Sequence, residues 1–296
     1  MNRAGVAILL LVFAAGSLLI GCLEPPPNAP PGVGPISTPA PPQPEPENPP
    51  SPEGAALESP QTPASPPGAA GSPLSHSWGF HRNSEHRAPE INSEMANLLD
   101  KYQALYVVPG EENRIYLTFD AGYEQGYTAT ILDILKDKQV PAAFFITGHY
   151  LQTQPELVKR MKAEGHLVCN HTVNHPDLST VSQEKFAREI NGLDSAFAEL
   201  TGQKLDPYLR PPMGIFSEQS LYWAREMGYT TVLWSLAFAD WDPAKQPGAD
   251  FSFRQVVDNI HPGAIILLHA VSQSDTEALP SIIEELRRQG YAFTVF

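Results

Sequence analysis

The sequence predicts an α/β fold whose parallel sheet closes into a distorted or incomplete β/α barrel. From residue 114 to residue 296, short apolar runs typical of strands alternate with longer amphipathic segments typical of helices. Such alternation favours parallel strands joined by helical crossovers. About seven of these units share about 220 residues, which is close to the size of a barrel.

The strands are predicted where apolar and β-branched residues cluster between turn residues. In order they are Ile115–Phe119, Ala142–Thr147, Leu167–Cys169, Tyr208–Leu209, Thr230–Trp234, Ala264–Leu268 and Tyr291–Val295. The helices between them are predicted from apolar residues at helical spacing, as at Phe186, Ile190, Leu193 and Phe197, and from Ser217 as an N-cap. They cover about Tyr127–Lys138, Gln154–Glu164, Ser182–Leu200, Ser217–Met227, Phe253–Ile260 and Thr276–Gln289.

The first 22 residues have the features of a secretion signal. Arg3 gives a positive start, residues 6–20 are almost wholly apolar, and Leu19-Ile20-Gly21-Cys22 follows. This ending resembles a bacterial lipobox, in which the cysteine is diacylated and becomes the mature N-terminus. We therefore expect a signal peptide over residues 1–21, lipidation of Cys22, and a protein held at the extracytoplasmic face of a bacterial membrane. A plain signal peptide or an uncleaved anchor helix is the alternative.

The next segment, residues 22–76, predicts a disordered tether. It holds 19 of the 31 prolines of the chain and almost no aromatic or β-branched residues, so it cannot bury enough apolar surface to offset its chain entropy. A proline-rich ligand for a partner protein is the alternative, but the segment lacks the basic residues that flank such motifs.

The charge and cysteine content exclude several classes of function. A net charge of −14 argues against nucleic-acid binding, which needs a basic surface. The chain has two cysteines, and lipidation of Cys22 leaves Cys169 without a disulfide partner, so Cys169 is predicted to be a small core residue. We expect the remaining domain to be a monomer.

Polar residues follow the predicted strands at the end where barrel enzymes place their active sites. They are Asp120, His171, His175, Arg210, Asp240, Trp241 and His269. Any one of them could instead be a helix cap or a hydrogen-bonded core residue, but so many at one rim indicate a shared site. His171 and His175 are four residues apart, a spacing at which two imidazoles can bind one metal ion. With Asp120 as a base and His269 as an acid, the set has the groups that metal-assisted amide hydrolysis requires.

Residues from about Ile115 to Val295 resemble the polysaccharide deacetylase (chitooligosaccharide deacetylase-like) family, whose fold is a distorted β/α barrel. The matching motifs are Thr118-Phe119-Asp120-Ala121-Gly122, His171-Thr172-Val173-Asn174-His175, Arg210-Pro211-Pro212-Met213-Gly214, Asp240-Trp241 and Leu267-Leu268-His269. The runs from Phe119 to Thr128 and from Trp234 to Trp241 resemble most the de-N-acetylases that form muramic δ-lactam in peptidoglycan. Residues 77–113 resemble the N-terminal extension of that subgroup, which leaves residues 114–296 as the deacetylase domain.

The resemblance implies a role for each matching residue. Asp120 is the general base, oriented by Arg210, and His269 protonates the leaving amine. His171 and His175 bind a divalent metal ion, zinc or a similar ion. The Met213 N–H binds the oxyanion, and Leu267 forms the wall of the acetate pocket. The substrate groove is lined by Gly122, Tyr123, Asp240 and Trp241. Asp240 and Trp241 also support His269.

Two positions depart from the family pattern. Ala121 replaces the aspartate that is the third metal ligand, so we expect the metal to be weakly held. Ala237 replaces an earlier aspartate of the Asp240-Trp241 motif, so Asp240 acts without it.

The predicted function is hydrolysis of the N-acetyl group of a peptidoglycan sugar, N-acetylmuramic acid in the first place. Two alternatives stay open: deacetylation of another glycan, such as wall N-acetylglucosamine or chitin-like oligomers, and a wall-binding lipoprotein without turnover.

Overall fold

A seven-stranded parallel sheet forms the centre of the molecule. The computed structural model describes residues 71–83, 85–110 and 113–296, so the predicted signal peptide, Cys22 and most of the tether lie outside the described residues. The strands of this sheet are β2 (Arg114–Ala121), β3 (Ala143–Ile146), β4 (Leu167–Asn170), β5 (Asp206–Leu209), β7 (Thr230–Thr231), β8 (Ile265–His269) and β9 (Ala292–Thr294). Their order is β7-β5-β4-β3-β2-β8, and β9 also pairs with β2.

The gap between β7 and β8 is spanned by an irregular segment, residues 232–236. Val232 donates its N–H to Leu209 of β5 at 2.8 Å, whereas Leu236 accepts from the N–H of Leu267 in β8 at 2.9 Å. The segment therefore changes partner strand within five residues, which no regular ladder allows. For this reason the predicted strand Thr230–Trp234 is wrong beyond Thr231.

Two helices of the described residues, of nine and six residues, were not predicted, and the bounds of the others differ from the prediction by up to four residues. The helices are α1 (Ser93–Lys101), α2 (Thr128–Asp137), α3 (Gly148–Thr153), α4 (Pro155–Ala163), α5 (Gln183–Thr201), α6 (Glu218–Glu226), α7 (Ala249–Val257) and α8 (Gln273–Arg288). The six-residue α3, capped by Thr147, is too short for a periodic apolar pattern and was not predicted. Helix α7 begins four residues before the predicted Phe253, because the N–H of Gly248 binds the Ser274 hydroxyl and the chain turns into the helix there.

The N-terminal extension packs onto the sheet domain and shares a core with it. Strand β1 (Ser75–Ser77) pairs antiparallel with β6 (Ile215–Ser217). Trp78 and Leu99 bury their side chains in one cluster with Phe216 and Leu233. Because β1 begins at Ser75, ordered packing starts slightly before residue 77, where the N-terminal extension was predicted to begin.

The alternation of side chains along β2 separates the core from the site. Leu117, Phe119 and Ala121 belong to the main apolar cluster. Thr118 and Asp120 point to the other face and are both hydrogen-bonded to Arg210. Among the described residues, no helix is long and apolar enough to cross a membrane.

Candidate active site

An open pocket of about 1800 Å³ lies at the carboxyl ends of the strands. Nine of the residues singled out from the sequence line it: Asp120, Gly122, Tyr123, His171, His175, Met213, Trp241, Leu267 and His269. Arg210 and Asp240 lie behind this lining and are almost wholly buried, with 0% and 1% of their surface exposed. The structure thus brings the predicted site residues together in two layers.

Asp120 is held in place by the guanidinium of Arg210. The Nη1 atom of Arg210 donates to Oδ1 of Asp120 at 2.8 Å, and both side chains are buried. Burial alone would raise the pKa of Asp120, but the positive charge of Arg210, together with His171 and His269, outweighs it and holds that pKa below its ordinary value. Asp120 is therefore ionised near neutral pH and can accept a proton.

The rest of the Arg210 side chain is fixed by the strands around it. Its Nη2 donates to the Thr118 hydroxyl at 3.0 Å, and its Nε donates to the Val232 carbonyl at 3.2 Å. The guanidinium carbon lies 4.0 Å from the centre of the Phe145 ring. These contacts satisfy a buried cation, as burial of an arginine requires.

His171 and His175 lie side by side, with ring centres 4.9 Å apart. The Nδ1 of His171 is 2.8 Å from the carbonyl oxygen of Arg210, which can only accept, so Nδ1 carries the proton. Its Nε2 is left as an acceptor, 3.5 Å from Oδ2 of Asp120. Burial lowers the pKa of His171 to about 4, so this ring is neutral at physiological pH.

His269 is held by Asp240 through two contacts. The Nδ1 of His269 lies 2.7 Å from Oδ1 of Asp240, and the backbone N–H of His269 donates to Oδ2 at 2.8 Å. Burial would lower the pKa of His269, but the hydrogen bond and the charge of Asp240 raise it above its ordinary value. The strand register places His269 directly opposite Asp120 on neighbouring strands, so these two side chains face one pocket from β8 and β2.

Met213 lies in a tight turn after Arg210, over Pro212–Gly214, with an unusual backbone conformation. Its φ is +58°, in the left-handed region, and its side chain is exposed. Gly214 follows with φ +66°, and a β-carbon there would lie 2.8 Å from the Trp234 ring. Strain of this kind is kept where surrounding structure enforces it, which is common at functional sites.

Exposed aromatic rings lie at the rim of the pocket. Tyr123 and Trp241 are both more than half exposed. The Tyr123 ring packs on His149 at 4.7 Å between centres, and the Trp241 ring lies 5.9 Å from that of His269. Large exposed aromatic side chains beside a pocket are typical of ligand-binding surfaces.

Comparison with known proteins identifies the family. The profile described as Polysaccharide deacetylase matches residues 107–232. The chain is 43% identical over 217 residues to the peptidoglycan-N-acetylmuramic acid deacetylase PdaA of Bacillus subtilis, covering 73% of this chain and 82% of PdaA. It belongs to the polysaccharide deacetylase family.

Two further comparisons agree with membership of the polysaccharide deacetylase family. The chain is 49% identical over 216 residues to an uncharacterized 30.6 kDa protein of Geobacillus stearothermophilus, covering 73% of this chain and 82% of that protein. The structure of Bacillus subtilis PdaA, described as a family 4 carbohydrate esterase, matches with a TM-score of 0.74 and 42% identity, covering 76% of this chain and 96% of that one. The predicted family and the predicted distorted, incomplete barrel are thereby confirmed.

Deacetylases of this family are generally metal-dependent. His171 and His175 offer two imidazoles, and the neutral ring of His171 has a free Nε2. Ala121 has no donor atom, is fully buried and packs in the apolar cluster. Among the described residues, no group of three His, Cys, Asp or Glu side chains is arranged to hold a metal ion. The residues present thus fit a site with two nitrogen ligands rather than one with three protein ligands.

Some residues of the deacetylase site were not assigned a role from the sequence. Thr118 accepts from Arg210 and donates to the Ile266 carbonyl at 2.7 Å, and its place two residues before Asp120 on the same strand face could have identified it. Arg82 and Phe80 reach the pocket from the N-terminal extension. They lie in irregular chain far from the motifs, where no periodic signal marks them.

Proposed function

We propose that this protein hydrolyses the N-acetyl group of N-acetylmuramic acid in peptidoglycan and releases acetate. One observation carries the proposal. Two ion pairs, the buried pair of Asp120 with Arg210 and the partly exposed pair of His269 with the buried Asp240, present a carboxylate and an imidazole to the same pocket. Hydrolysis of an amide requires a base that is ionised and an acid that is protonated at the same pH. The lowered pKa of Asp120 and the raised pKa of His269 meet this requirement.

Asp120 is the proposed general base. Its low pKa keeps it ionised, and Arg210 occupies Oδ1, so Oδ2 is the oxygen available to take a proton from the attacking water. The Met213 N–H is the proposed donor to the oxyanion that develops on the acetyl oxygen. Leu267, which is 3% exposed and lines the pocket, is the proposed wall behind the acetyl methyl group.

His269 is the proposed general acid. Since Asp240 engages Nδ1, Nε2 is the ring atom that can give a proton to the leaving amine. The raised pKa of His269 increases the protonated fraction near neutral pH, which suits an acid. Arg210 and Asp240 act behind these residues by fixing their positions.

We infer that His171 and His175 hold a divalent ion such as zinc, and hold it weakly. When bound, such an ion polarises the acetyl carbonyl and acidifies water. Catalytic zinc usually has three protein ligands, and Ala121 supplies none here. Titration calorimetry with Zn²⁺ should show weak binding to the wild type and at least about tenfold weaker binding to His175→Ala, which removes half of the donor set. Equal affinity in the two proteins would place the ion elsewhere.

Muramic acid is the proposed sugar for two reasons. The relative PdaA is a peptidoglycan-N-acetylmuramic acid deacetylase. Arg82 is the one lysine or arginine among the residues that line the pocket in the described part of the chain, and its cation suits the carboxylate that muramic acid carries and N-acetylglucosamine lacks. Tyr123 and Trp241 at the rim suit the apolar faces of sugar rings.

We also propose that the protein is a monomer anchored by lipidated Cys22 to the extracytoplasmic face of a bacterial membrane. The lipobox-like sequence at residues 19–22 and the proline-rich segment after it support this placement. A tether of this length lets the domain reach glycan strands beyond the membrane surface.

Mass spectrometry of defined muropeptides tests the proposed reaction. Incubation with the full chain should remove one acetyl group, and fragmentation should locate the loss on the muramic acid. Asp120→Asn keeps the shape of the site but removes the base, so it should slow acetate release by about 10²–10⁴-fold. Thermal melting of both proteins controls for folding.

Other outcomes of this experiment select the alternatives. Loss of acetyl from the glucosamine would make the protein a wall N-acetylglucosamine deacetylase, and loss from chitin-like oligomers alone would move the substrate outside peptidoglycan. No acetate from any of these substrates, with or without added Zn²⁺, would favour a wall-binding lipoprotein without turnover.

A further inference from the structure

A second carboxyl group, that of Asp275, lies behind the pair formed by His269 and Asp240. Asp275 belongs to the first turn of α8, where its backbone N–H donates to the hydroxyl of the N-cap Ser272 at 3.1 Å. Its side chain is 2% exposed. The sequence motifs do not include it, and it does not line the pocket.

The surroundings of Asp275 are set by the loop that carries Asp240. Gln246 donates to the Asp240 carbonyl at 3.0 Å and accepts from the Ser272 hydroxyl at 2.9 Å, so it ties this loop to the start of α8. The titratable group that faces Asp275 is the Asp240 carboxyl. Hydroxyl groups face it from Ser252 in α7 and from Ser272, and His269 of β8 reaches Asp240 from the other side.

The two carboxyl groups differ in their hydrogen bonds. Each oxygen of Asp240 accepts one bond from His269. Both oxygens of Asp275 are shielded from solvent, and in the described part of the chain no N–H or O–H donates to either with hydrogen-bond geometry. A buried carboxylate without donors is strongly disfavoured, and two adjoining carboxylates cannot both carry charge there.

This asymmetry decides which group holds a proton. Asp240 faces the protonated nitrogen of His269 and has both oxygens satisfied, so it is the ionised member. Burial first, and then the proximity of Asp240, raise the pKa of Asp275 well above its ordinary range. The N-terminus of α8 favours negative charge, but this effect is too small to reverse that of burial beside a like charge.

We propose that Asp275 is a neutral carboxylic acid whose O–H donates to Asp240, and that it thereby positions the Asp240 carboxylate under His269. Asp275 is a positioning residue: it touches Asp240 and not the substrate. The catalytic part of this inference rests on the deacetylation proposed above, whereas the protonation state of Asp275 does not. The hydrogen bond from Asp275 also reduces the negative charge on the oxygens of Asp240. It therefore weakens the attraction between Asp240 and the Nδ1–H of His269.

The titration of His269 tests the positioning role without any substrate. The imidazole signals of the full chain are followed by NMR against pH, and His269→Gln identifies the signal of His269. Asp275→Asn keeps a donor of the same shape and should leave the midpoint of His269 unchanged. Asp275→Ala removes the donor, so the charge of Asp240 acts more fully on His269 and should raise that midpoint by about half a unit to one unit.

The pH dependence of stability tests the protonation state separately. A carboxyl group whose pKa is about 9 when folded, and near 4 when unfolded, contributes stability that is complete below pH 4 and is lost as the pH rises to 9. Asp275→Asn cannot titrate, so its folding equilibrium constant should rise relative to the wild type by up to about tenfold per pH unit in that window. Denaturant unfolding at pH 5, 7 and 9 measures this.

Either of two results would overturn the proposal. One is a stability difference between Asp275→Asn and the wild type that does not change with pH, since Asp275 would then be ionised. The other is a folded Asp275→Ala in which His269 titrates as in the wild type. Neither measurement involves acetate release, so an inactive but correctly titrating protein would count against the proposed function and not against this inference.

Discussion

Arg210 controls the position of several groups in the pocket at once. Its guanidinium binds Asp120 and Thr118, while its own backbone carbonyl accepts from Nδ1 of His171. The proposed base and one proposed metal ligand are thus fixed by the same residue. A lysine could not replace it, because a single ammonium group lacks the planar fork that reaches Asp120 and Thr118 together.

The pair of Asp240 and His269 leads to a prediction about pH. Asp240 raises the pKa of His269, so the isosteric Asp240→Asn should lower it. Because a general acid must be protonated, activity falls as the pH rises through the pKa of His269, and this alkaline fall should begin at lower pH in the variant. The pH profile of kcat/KM for acetate release measures the change, and an unmoved alkaline limb would remove Asp240 from the control of His269.

The identities of these residues could be predicted from the sequence, but their pairings could not. Asp120, Arg210 and His269 each follow or end an apolar run, and strand ends meet at one rim of a β/α barrel. No sequence pattern shows that Arg210 reaches Asp120, which is 90 residues away, because that contact depends on how the strands are ordered. Asp275 was missed because a helix-capping role explains an acidic residue in a first turn equally well.

The N-terminal extension supports the turn that follows Arg210. The backbone N–H of Trp78 donates to the Gly214 carbonyl at 2.9 Å, and its indole N–H donates to the Trp234 carbonyl at 2.9 Å. Trp78 also packs on Tyr106, with ring centres 5.3 Å apart. The extension therefore holds the turn of Met213, although it contributes none of the motif residues.

Truncation of Trp78 should weaken the whole fold. Trp78 is 8% exposed, so Trp78→Ala should lower the free energy of unfolding by about 3–5 kcal/mol through lost burial and an internal cavity. Trp241, which is 58% exposed at the rim, provides the matched control. Trp241→Ala should change stability by less than about 0.5 kcal/mol and should raise KM instead. Denaturant unfolding measures the loss of stability, and steady-state kinetics measures the change in KM. If Trp78→Ala and Trp241→Ala were equally stable, the extension would not stabilise the fold.

Helix α5 was predicted almost whole from the sequence, whereas strand β1 and helices α1 and α3 were not predicted. Helix α5 was found within one residue at each end, because its apolar residues repeat over nineteen positions between the cap Ser182 and Gly202. Strand β1 and helix α3 have three and six residues, too few for a period to show. Their existence depends on tertiary partners, β6 for β1 and the Thr147 cap for α3.

At the scale of the whole molecule, the order of the strands could not be read from the chain. Strand β2 pairs with β3, with β8 and, over its first residues, with β9. All these strands are similar apolar runs, and which of them become neighbours is decided by packing across the sheet. The fold class was predictable because alternation alone implies a parallel sheet, whereas the irregular segment that spans the gap between β7 and β8 was not.

The proposed attachment to a membrane depends on Cys22 and can be tested against the other cysteine of the chain. With 33 acidic and 19 basic residues, the net charge of the protein argues against electrostatic retention at an anionic surface, so we expect the lipid on Cys22 to retain it. Cys22→Ser should move the protein from the membrane fraction to the soluble fraction, or leave an unprocessed precursor. Cys169→Ala should stay in the membrane fraction, because Cys169 is buried in the core. Intact-mass analysis of the wild type should find the mature N-terminus at Cys22 with its acyl chains, and a mature N-terminus at any other residue would refute the anchor.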